Sequence, residues 1–165
     1  MKRWRTYWIV ILLASVFQGG CGFHLRGSID LPVWLDKVAI INHGANRELT
    51  TLLKEQLQAY HIHVCDSPSQ ADYWLIVEEE AYQQQALSIS SSTTPRQYQL
   101  TYFVSFRLQA PRGNNGIPLT KIVVTRQITI NSDRILGSDA EEALTKQEMR
   151  RDAANQVLNR ISHPG

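Results

Sequence analysis

The stretch that decides the fold is Arg96–Ala110, RQYQLTYFVSFRLQA. Apolar or aromatic side chains occupy every second position from Tyr98 to Ala110, and mostly polar side chains stand between them. Successive side chains of a strand point to opposite faces of the sheet, so this period of two predicts a long antiparallel strand. One of its faces belongs to the core and the other is free.

The next segment provides the partner strand. Pro111–Gly116 has the composition of a hairpin loop, and Leu119–Ile130 returns as a strand. Arg126 shares its parity with the apolar residues of this strand. Those residues are Ile122, Val124, Ile128 and Ile130.

The N-terminal half alternates short strands with one helix. Asn46–Tyr60 carries leucines every three or four residues, which predicts a helix with Asn46 as its N-cap. Strands are expected at Lys37–Ile41, at Ile62–Cys65 and from Tyr73–Val77 through Glu78–Glu80 towards Ile89. Ser88–Pro95 has the composition of a polar loop, and Glu78–Glu80 that of an exposed strand end.

A second helix is predicted over Ser138–Ile161, where Ser138 and Glu141 match a capping box. Its thin apolar stripe consists of Leu144, Ala154, Val157, Leu158 and Ile161. The charged residues between them, Arg150 among them, are typical of a solvated face. The whole pattern predicts an α+β fold with both helices on one face of a mixed, mostly antiparallel sheet of about four to five strands. The other face is left for a partner.

The N-terminus has the three parts of a secretory signal peptide. A basic start (Met1–Arg5) precedes an apolar run (Tyr7–Phe17) and small residues before Cys21. The run is too short to span a bilayer. This arrangement resembles a lipobox, which predicts removal of residues 1–20 and a covalent acyl or diacylglycerol anchor on Cys21. The alternative is ordinary secretion, with Cys21 a free or disulfide-bonded thiol.

Charge and motifs exclude several functions. Loss of Lys2, Arg3 and Arg5 with the signal turns a formal charge of +2 into about −1, which gives no support to nucleic-acid binding. No phosphate loop, nucleophile elbow or zinc-protease motif is present, so we expect no enzyme. His61, His63 and Cys65 would share one strand face and are the best metal candidates, but a fourth ligand is missing and we expect no metal. We interpret Cys65 as a small buried strand residue.

Basic residues cluster around the two long strands. If the strand register brings Lys121 and Arg107 together, they present positive charge beside aromatic rings. Such a surface suits an anionic amphiphile such as a phosphorylated lipid. The alternative is that these are ordinary solvent-facing cations.

Three segments resemble one known family. Cys21–Gly27 (CGFHLRG), Tyr98–Tyr102 (YQLTY) and Gln147–Ala154 (QEMRRDAA) are similar to the lipidated start, central strand and last helix of the LptE family of lipopolysaccharide-assembly lipoproteins. The resemblance covers essentially the whole chain. It implies a lipid-anchored leader at residues 21–36, a single domain at residues 37–162 with two helices on a four-stranded sheet, and a short tail at residues 163–165.

The resemblance also implies a role. Members of this family sit at the inner leaflet of the Gram-negative outer membrane, lodge inside the LptD β-barrel and assist its assembly. They bind lipopolysaccharide during its insertion into the outer leaflet, through basic residues near the loop end of the sheet. The corresponding candidates here are Arg96, Lys121 and Arg126. Gly22 also fits the outer membrane, because Asp at that position favours retention in the inner one. The competing hypothesis is a periplasmic lipoprotein that scaffolds envelope complexes or binds a small ligand, without a lipopolysaccharide role.

Overall fold

The chain forms the strands and helices that its apolar periods predict. The computed structural model describes residues 31–87, 96–111, 113–130 and 135–163. The elements are β1 (Lys37–Asn42), α1 (Arg47–Ala59), β2 (His63–Cys65), β3 (Tyr73–Ala86), β4 (Arg96–Ala110), β5 (Gly113–Ile130) and α2 (Ile135–Ser162). Cys21, the signal segment and the Ser88–Pro95 loop lie outside the described residues.

The five strands form one mixed sheet in the order β2-β1-β3-β4-β5. β1 pairs in parallel with β2 and with β3, whereas β3, β4 and β5 form an antiparallel meander. β1, α1 and β2 make the expected strand–helix–strand unit. The fold class is confirmed, and the three-residue β2 at the edge brings the sheet to five strands instead of the four that the resemblance implied.

The predicted apolar face of β4 is buried in the core. Leu100, Tyr102, Val104, Phe106 and Leu108 are all at most 2% exposed. Helix α1 covers this face with Leu49, Leu53 and Leu57. The side chain of Asn46 accepts a hydrogen bond from the Glu48 backbone N–H (3.2 Å) and caps the helix as predicted.

Helix α2 packs on the same sheet face, but two details of its prediction were wrong. It begins at Ile135, so Ser138 lies inside the helix and is not its N-cap; a capping box is a local pattern that does not stop a helix from extending further. Leu144 is 56% exposed because it lies five residues before the buried Met149, about 140° around the helix. The buried stripe is Met149, Ala153, Ala154, Val157, Leu158 and Ile161.

The β4–β5 hairpin is tighter than expected. Ala110 pairs with Gly113, so the strand starts well before Leu119 and most of the predicted loop belongs to it. Two register shifts, on either side of Leu108, accommodate additional residues that bulge from β5. A Cβ on Gly116 would lie 2.3 Å from the carbonyl oxygen of Leu108, so only glycine permits this close approach.

The acidic run Glu78–Glu80 and Cys65 lie in different environments. β3 continues through Glu78–Glu80 to Ala86, as expected, but Glu80 is not part of an exposed strand end, because its side chain is only 4% exposed. Cys65 is a buried strand residue, as predicted. Within the described part, no helix is both long and apolar enough to cross a membrane.

Candidate binding surface

The sheet face opposite the two helices, here called the open face, is the candidate surface. Strand register places Phe103 of β4 opposite Ala81 of β3 and Val123 of β5 on this face. The face is rich in amide and hydroxyl side chains, which are partly or fully exposed. These are Gln83, Gln85, Gln97, Gln99, Thr101, Ser105, Gln109, Thr125, Gln127 and Thr129. Such a surface hydrogen-bonds readily to a polar partner.

Lys121 stands over an aromatic ring in the middle of the open face. Its Nζ lies 3.8 Å from the centroid of the Phe103 ring, a cation–π contact. Phe103 is 9% exposed, while Lys121 and Val123 remain exposed to solvent. The ammonium group is therefore held next to apolar surface and remains exposed to solvent, where an anion can reach it.

Arg107 lies on the same face and is partly neutralised. Its Nε is 2.9 Å from Glu78 Oε1, an ion pair whose N–H is not aligned for a hydrogen bond. The other carboxylate oxygen of Glu78 is 2.8 Å from His43 Nδ1. The hydrogen bond from His43 and the charge of Arg107 lower the pKa of Glu78 below its ordinary value of 4.5. Glu78 therefore stays ionised at neutral pH and orients both partners.

The register brings Lys121 and Arg107 to neighbouring positions. Lys121 is opposite Ser105, and Arg107 follows two positions later on the same face of β4. Phe103, Arg107, Lys121 and Val123 thus form one group, here called the open-face cluster. It combines two cations with aromatic and aliphatic surface, the combination that a phosphorylated amphiphile needs.

Arg126 lies on the opposite side of the sheet. It pairs with the buried Leu100 in the register and makes an ion pair with Asp152 of α2. Its side chain remains 48% exposed at the sheet edge. Arg126 therefore links β5 to α2 and keeps part of its guanidinium accessible.

Arg96 lies at the far end of the sheet. It is the first residue of β4 and pairs with Ile130, the last residue of β5. Lys121 is five residues from Arg126 along β5, about 17 Å in an extended strand, and on the other face. The three predicted lipopolysaccharide candidates therefore do not form one group, and the cation next to Lys121 is Arg107.

The metal candidates are separated by a turn. His61 has a left-handed backbone (φ 63°) and precedes β2, so it is not on the strand face of His63 and Cys65 as expected. Cys65 Sγ donates instead to the carbonyl oxygen of Gln70, at 3.6 Å. Among the residues that the structure describes, no three His, Cys, Asp or Glu side chains come together as a metal site.

An ionic network centred on a buried ion pair, which the sequence pattern did not predict, lies behind the open face. Arg150 was placed on a solvated face but is only 9% exposed. Its Nε donates to Glu80 Oε1 (3.2 Å), and its Nη1 contacts Glu48 of α1. Glu80 Oε2 in turn accepts from the Asn46 backbone N–H (2.6 Å). Arg150 lies three residues before the buried Ala153 and four before the buried Ala154. This helical spacing indicates that the Arg150 side chain points inward.

Two tyrosines stack beside this network. The ring centroids of Tyr82 and Tyr102 are 4.4 Å apart, and the Tyr82 hydroxyl donates to the Lys146 carbonyl oxygen (3.0 Å). Burial raises the pKa of Tyr82 to about 12 and that of Tyr102 further above its ordinary value. Both therefore stay neutral and pack within the helix-covered face.

A comparison with protein families identifies the chain. The family model described as LptE, lipopolysaccharide-assembly, matches residues 35–161, which is most of the chain. The chain belongs to the LptE family. The LPS-assembly lipoproteins LptE of Pectobacterium atrosepticum and Yersinia enterocolitica are 29% and 28% identical to it over 160 residues. These alignments cover 96% of this chain and 86% and 76% of the relatives, so they extend across Cys21.

Solved structures agree with this LptE fold. Rare lipoprotein B of Shewanella oneidensis superposes with a TM-score of 0.66 at 24% identity, covering 77% of this chain and 94% of that one. Lipoprotein B of Nitrosomonas europaea superposes with a TM-score of 0.65 at 24% identity, covering 86% and 90%. At this identity the likeness supports the two-helix, mixed-sheet fold.

Proposed function

We propose that this protein is an outer-membrane lipoprotein of lipopolysaccharide assembly. It associates with and plugs the LptD β-barrel, assists the assembly of that barrel, and binds lipopolysaccharide during its insertion into the outer leaflet. Membership of the LptE family supports the lipopolysaccharide-assembly role. The finer steps rest on the chemistry of the open face.

The observation that carries the proposal is the difference between the two sheet faces. One face is closed by α1 and α2, and the other presents amide and hydroxyl groups around the open-face cluster. The lumen of a membrane β-barrel is polar, so a plug needs a surface that hydrogen-bonds to it. The Gln- and Thr-rich open face supplies such a surface.

Lys121 is the favoured first contact for lipopolysaccharide. Phosphate oxygens accept strong charge-assisted hydrogen bonds from ammonium and guanidinium groups. Lys121 and Arg107 offer both, beside Phe103 and Val123 for acyl chains. Arg126 and Arg96 are proposed as secondary contacts at the sheet edge and at the far end.

The proposal includes a lipid tether. Residues 1–20 are removed and Cys21 carries the acyl and diacylglycerol anchor, which leaves the domain of residues 37–162 on the periplasmic side of the outer membrane. Alignment with lipoproteins across Cys21 supports this arrangement. A tethered domain of this kind needs no membrane-spanning helix.

Site-specific photo-cross-linking in cells tests the proposed surface. A photoreactive amino acid is placed at Val123 on the open face, or at the exposed Gln58 of α1 as the matched control. We expect strong cross-links from position 123 to a large barrel protein and to lipopolysaccharide. Cross-links from position 58 with none from position 123 would contradict the assignment of the open face.

A further inference from the structure

An exposed apolar tip stands where the chain enters the domain. The Leu35 backbone N–H donates to the Pro32 carbonyl oxygen (2.9 Å), which closes a turn around Val33 and Trp34. Val33 is fully exposed and Trp34 is 44% exposed. These two large apolar residues lie side by side, and we call them the entry tip.

The entry tip is fixed to the core. Leu35 is 1% exposed inside the core, and Leu31 packs against the same core from the other side of the turn. The ring centroids of Trp34 and Tyr73 are 4.8 Å apart at an angle of 51°, which holds the indole over β3. The turn therefore holds the fully exposed Val33 and the partly exposed Trp34 side by side on a base that is fixed to the core.

The charges next to the entry tip give no basic attraction to an anionic surface. Asp36, Lys37 and Asp72 are exposed near the turn, and the Asp72 backbone N–H donates to the Lys37 carbonyl oxygen (3.0 Å). Their formal sum is about −1, so polybasic attraction to acidic lipid does not operate here. Trp and Tyr, by contrast, prefer the headgroup level of a bilayer because their rings are amphipathic.

Chain length limits how far this tip can lie from the anchor. Val33 follows Cys21 by twelve residues, which reach at most about 40 Å when fully extended. We propose that Val33 and Trp34 insert into the headgroup region of the zwitterionic leaflet that holds the Cys21 lipid, and so fix the orientation of the domain on the membrane. This inference rests on the tether of the proposed function.

Tryptophan quenching in vesicles tests the inference on the full, naturally processed protein. After residue 20 the chain holds only Trp34 and Trp74, and Trp74 is bound to the Pro68 carbonyl oxygen through its Nε1 (2.8 Å). The protein is reconstituted in phosphatidylcholine vesicles with brominated acyl chains. We expect bromine to quench part of the fluorescence, and Trp34→Phe to lose that quenching. Val33→Asp should lose most of this quenching, although the variant still contains Trp34.

A distal tryptophan provides the matched control. Leu144 is exposed on α2 near Lys146, whose carbonyl oxygen accepts from Tyr82. Tyr82 is nine residues beyond Tyr73 on β3, about 30 Å away. Trp34→Phe combined with Leu144→Trp should therefore show no quenching above Trp34→Phe alone.

Two measurements distinguish a failure of the membrane insertion of the entry tip from a failure of the lipid tether. Mass spectrometry of the same preparation reports the acyl mass on Cys21 and decides the tether alone. Quenching that is equal in the wild type and in Trp34→Phe overturns the inference, whether or not acyl chains are found. A Trp34 emission that shifts only with protein concentration also overturns it and assigns the tip to a second copy.

Discussion

Arg150 donates from Nε to Oε1 of Glu80 across 3.2 Å, although the two residues are seventy positions apart in the chain. The same guanidinium contacts Glu48, so one side chain joins both helices to the centre of the sheet. The Glu80 side chain is 4% exposed and the Arg150 side chain 10%. The helix-covered face is therefore held by a buried ion pair, which also reaches the exposed Glu48, as well as by apolar packing.

Removing this cation should destabilise the domain. Arg150→Met leaves Glu80 buried without its partner, and loss of one member of a buried pair costs about 3–5 kcal/mol. Urea titration followed by circular dichroism measures the free energy of unfolding. The exposed neighbour provides the control, because Arg151→Met should stay within about 0.5 kcal/mol of the wild type. Equal midpoints for both variants would mean that Glu80 is solvated.

The buried face of β4 gives a second stability prediction. Leu100 is 1% exposed, and Leu100→Ala should cost about 2–5 kcal/mol through lost burial and the cavity left behind. Gln97→Ala, on the open face of the same strand, should be close to neutral. Thermal and urea unfolding of both variants check this. An unchanged stability for Leu100→Ala would show that the assigned faces of the strand are exchanged.

The Glu78 ion pairs predict an acid-dependent loss of stability. The folded protein holds the pKa of Glu78 below 4.5. The contribution of Glu78 to the free energy of unfolding is therefore complete above pH 4.5 and is lost as the pH falls through the folded pKa. Glu78→Gln should flatten this part of the stability curve. Urea midpoints measured from pH 6 to pH 3 test it, with Glu79→Gln as the control on the adjacent exposed carboxylate. A parallel decline for wild type and Glu78→Gln would contradict the predicted shift.

The open-face cluster predicts which cation matters for lipopolysaccharide. Lys121→Glu replaces a charge-assisted contact, worth about 1.5–3 kcal/mol, by repulsion, so affinity should fall at least about tenfold. Lys121 is exposed, so the fold should persist. Anisotropy of labelled lipopolysaccharide measures the binding. Arg126→Glu should weaken it less, because Asp152 already holds that guanidinium.

A matched variant separates the site from general charge effects. Thr125→Glu lowers the charge of the same face and strand by one without removing a cation, whereas Lys121→Gln lowers it by one through removal of the cation. Thr125→Glu should reduce affinity less than Lys121→Gln does. Equal losses in the two variants would reduce the role of Lys121 to bulk electrostatics.

Local patterns predicted most of the fold. The alternation along residues 98–110 identified the buried face of β4, and the leucine spacing identified α1, because each depends only on neighbouring residues. The odd and even positions along β5 alone also predict that Lys121 and Arg126 lie on opposite faces of the sheet. The early start of β5 was not predictable in this way, since the bulges opposite Leu108 change the count of residues between paired positions.

Contacts between distant segments were the part that sequence could not supply. The pairing of Arg150 with Glu80 depends on how α2 crosses the sheet, and a charged residue next to a thin apolar stripe gives no indication of its partner. The Lys121–Arg107 neighbourhood likewise depended on the strand register. Arg107 enters the candidate site for this reason, and Arg96 and Arg126 move to its periphery.

Affinity purification tests the central claim most directly. The tagged, naturally processed protein is recovered from outer membranes, washed stringently in detergent, and its retained partners are identified and quantified by mass spectrometry. We predict one large β-barrel protein, LptD, in stoichiometric amount, together with lipopolysaccharide. Recovery of other envelope proteins, or of none, would contradict the plug function and favour a lipoprotein scaffold that has no part in lipopolysaccharide insertion.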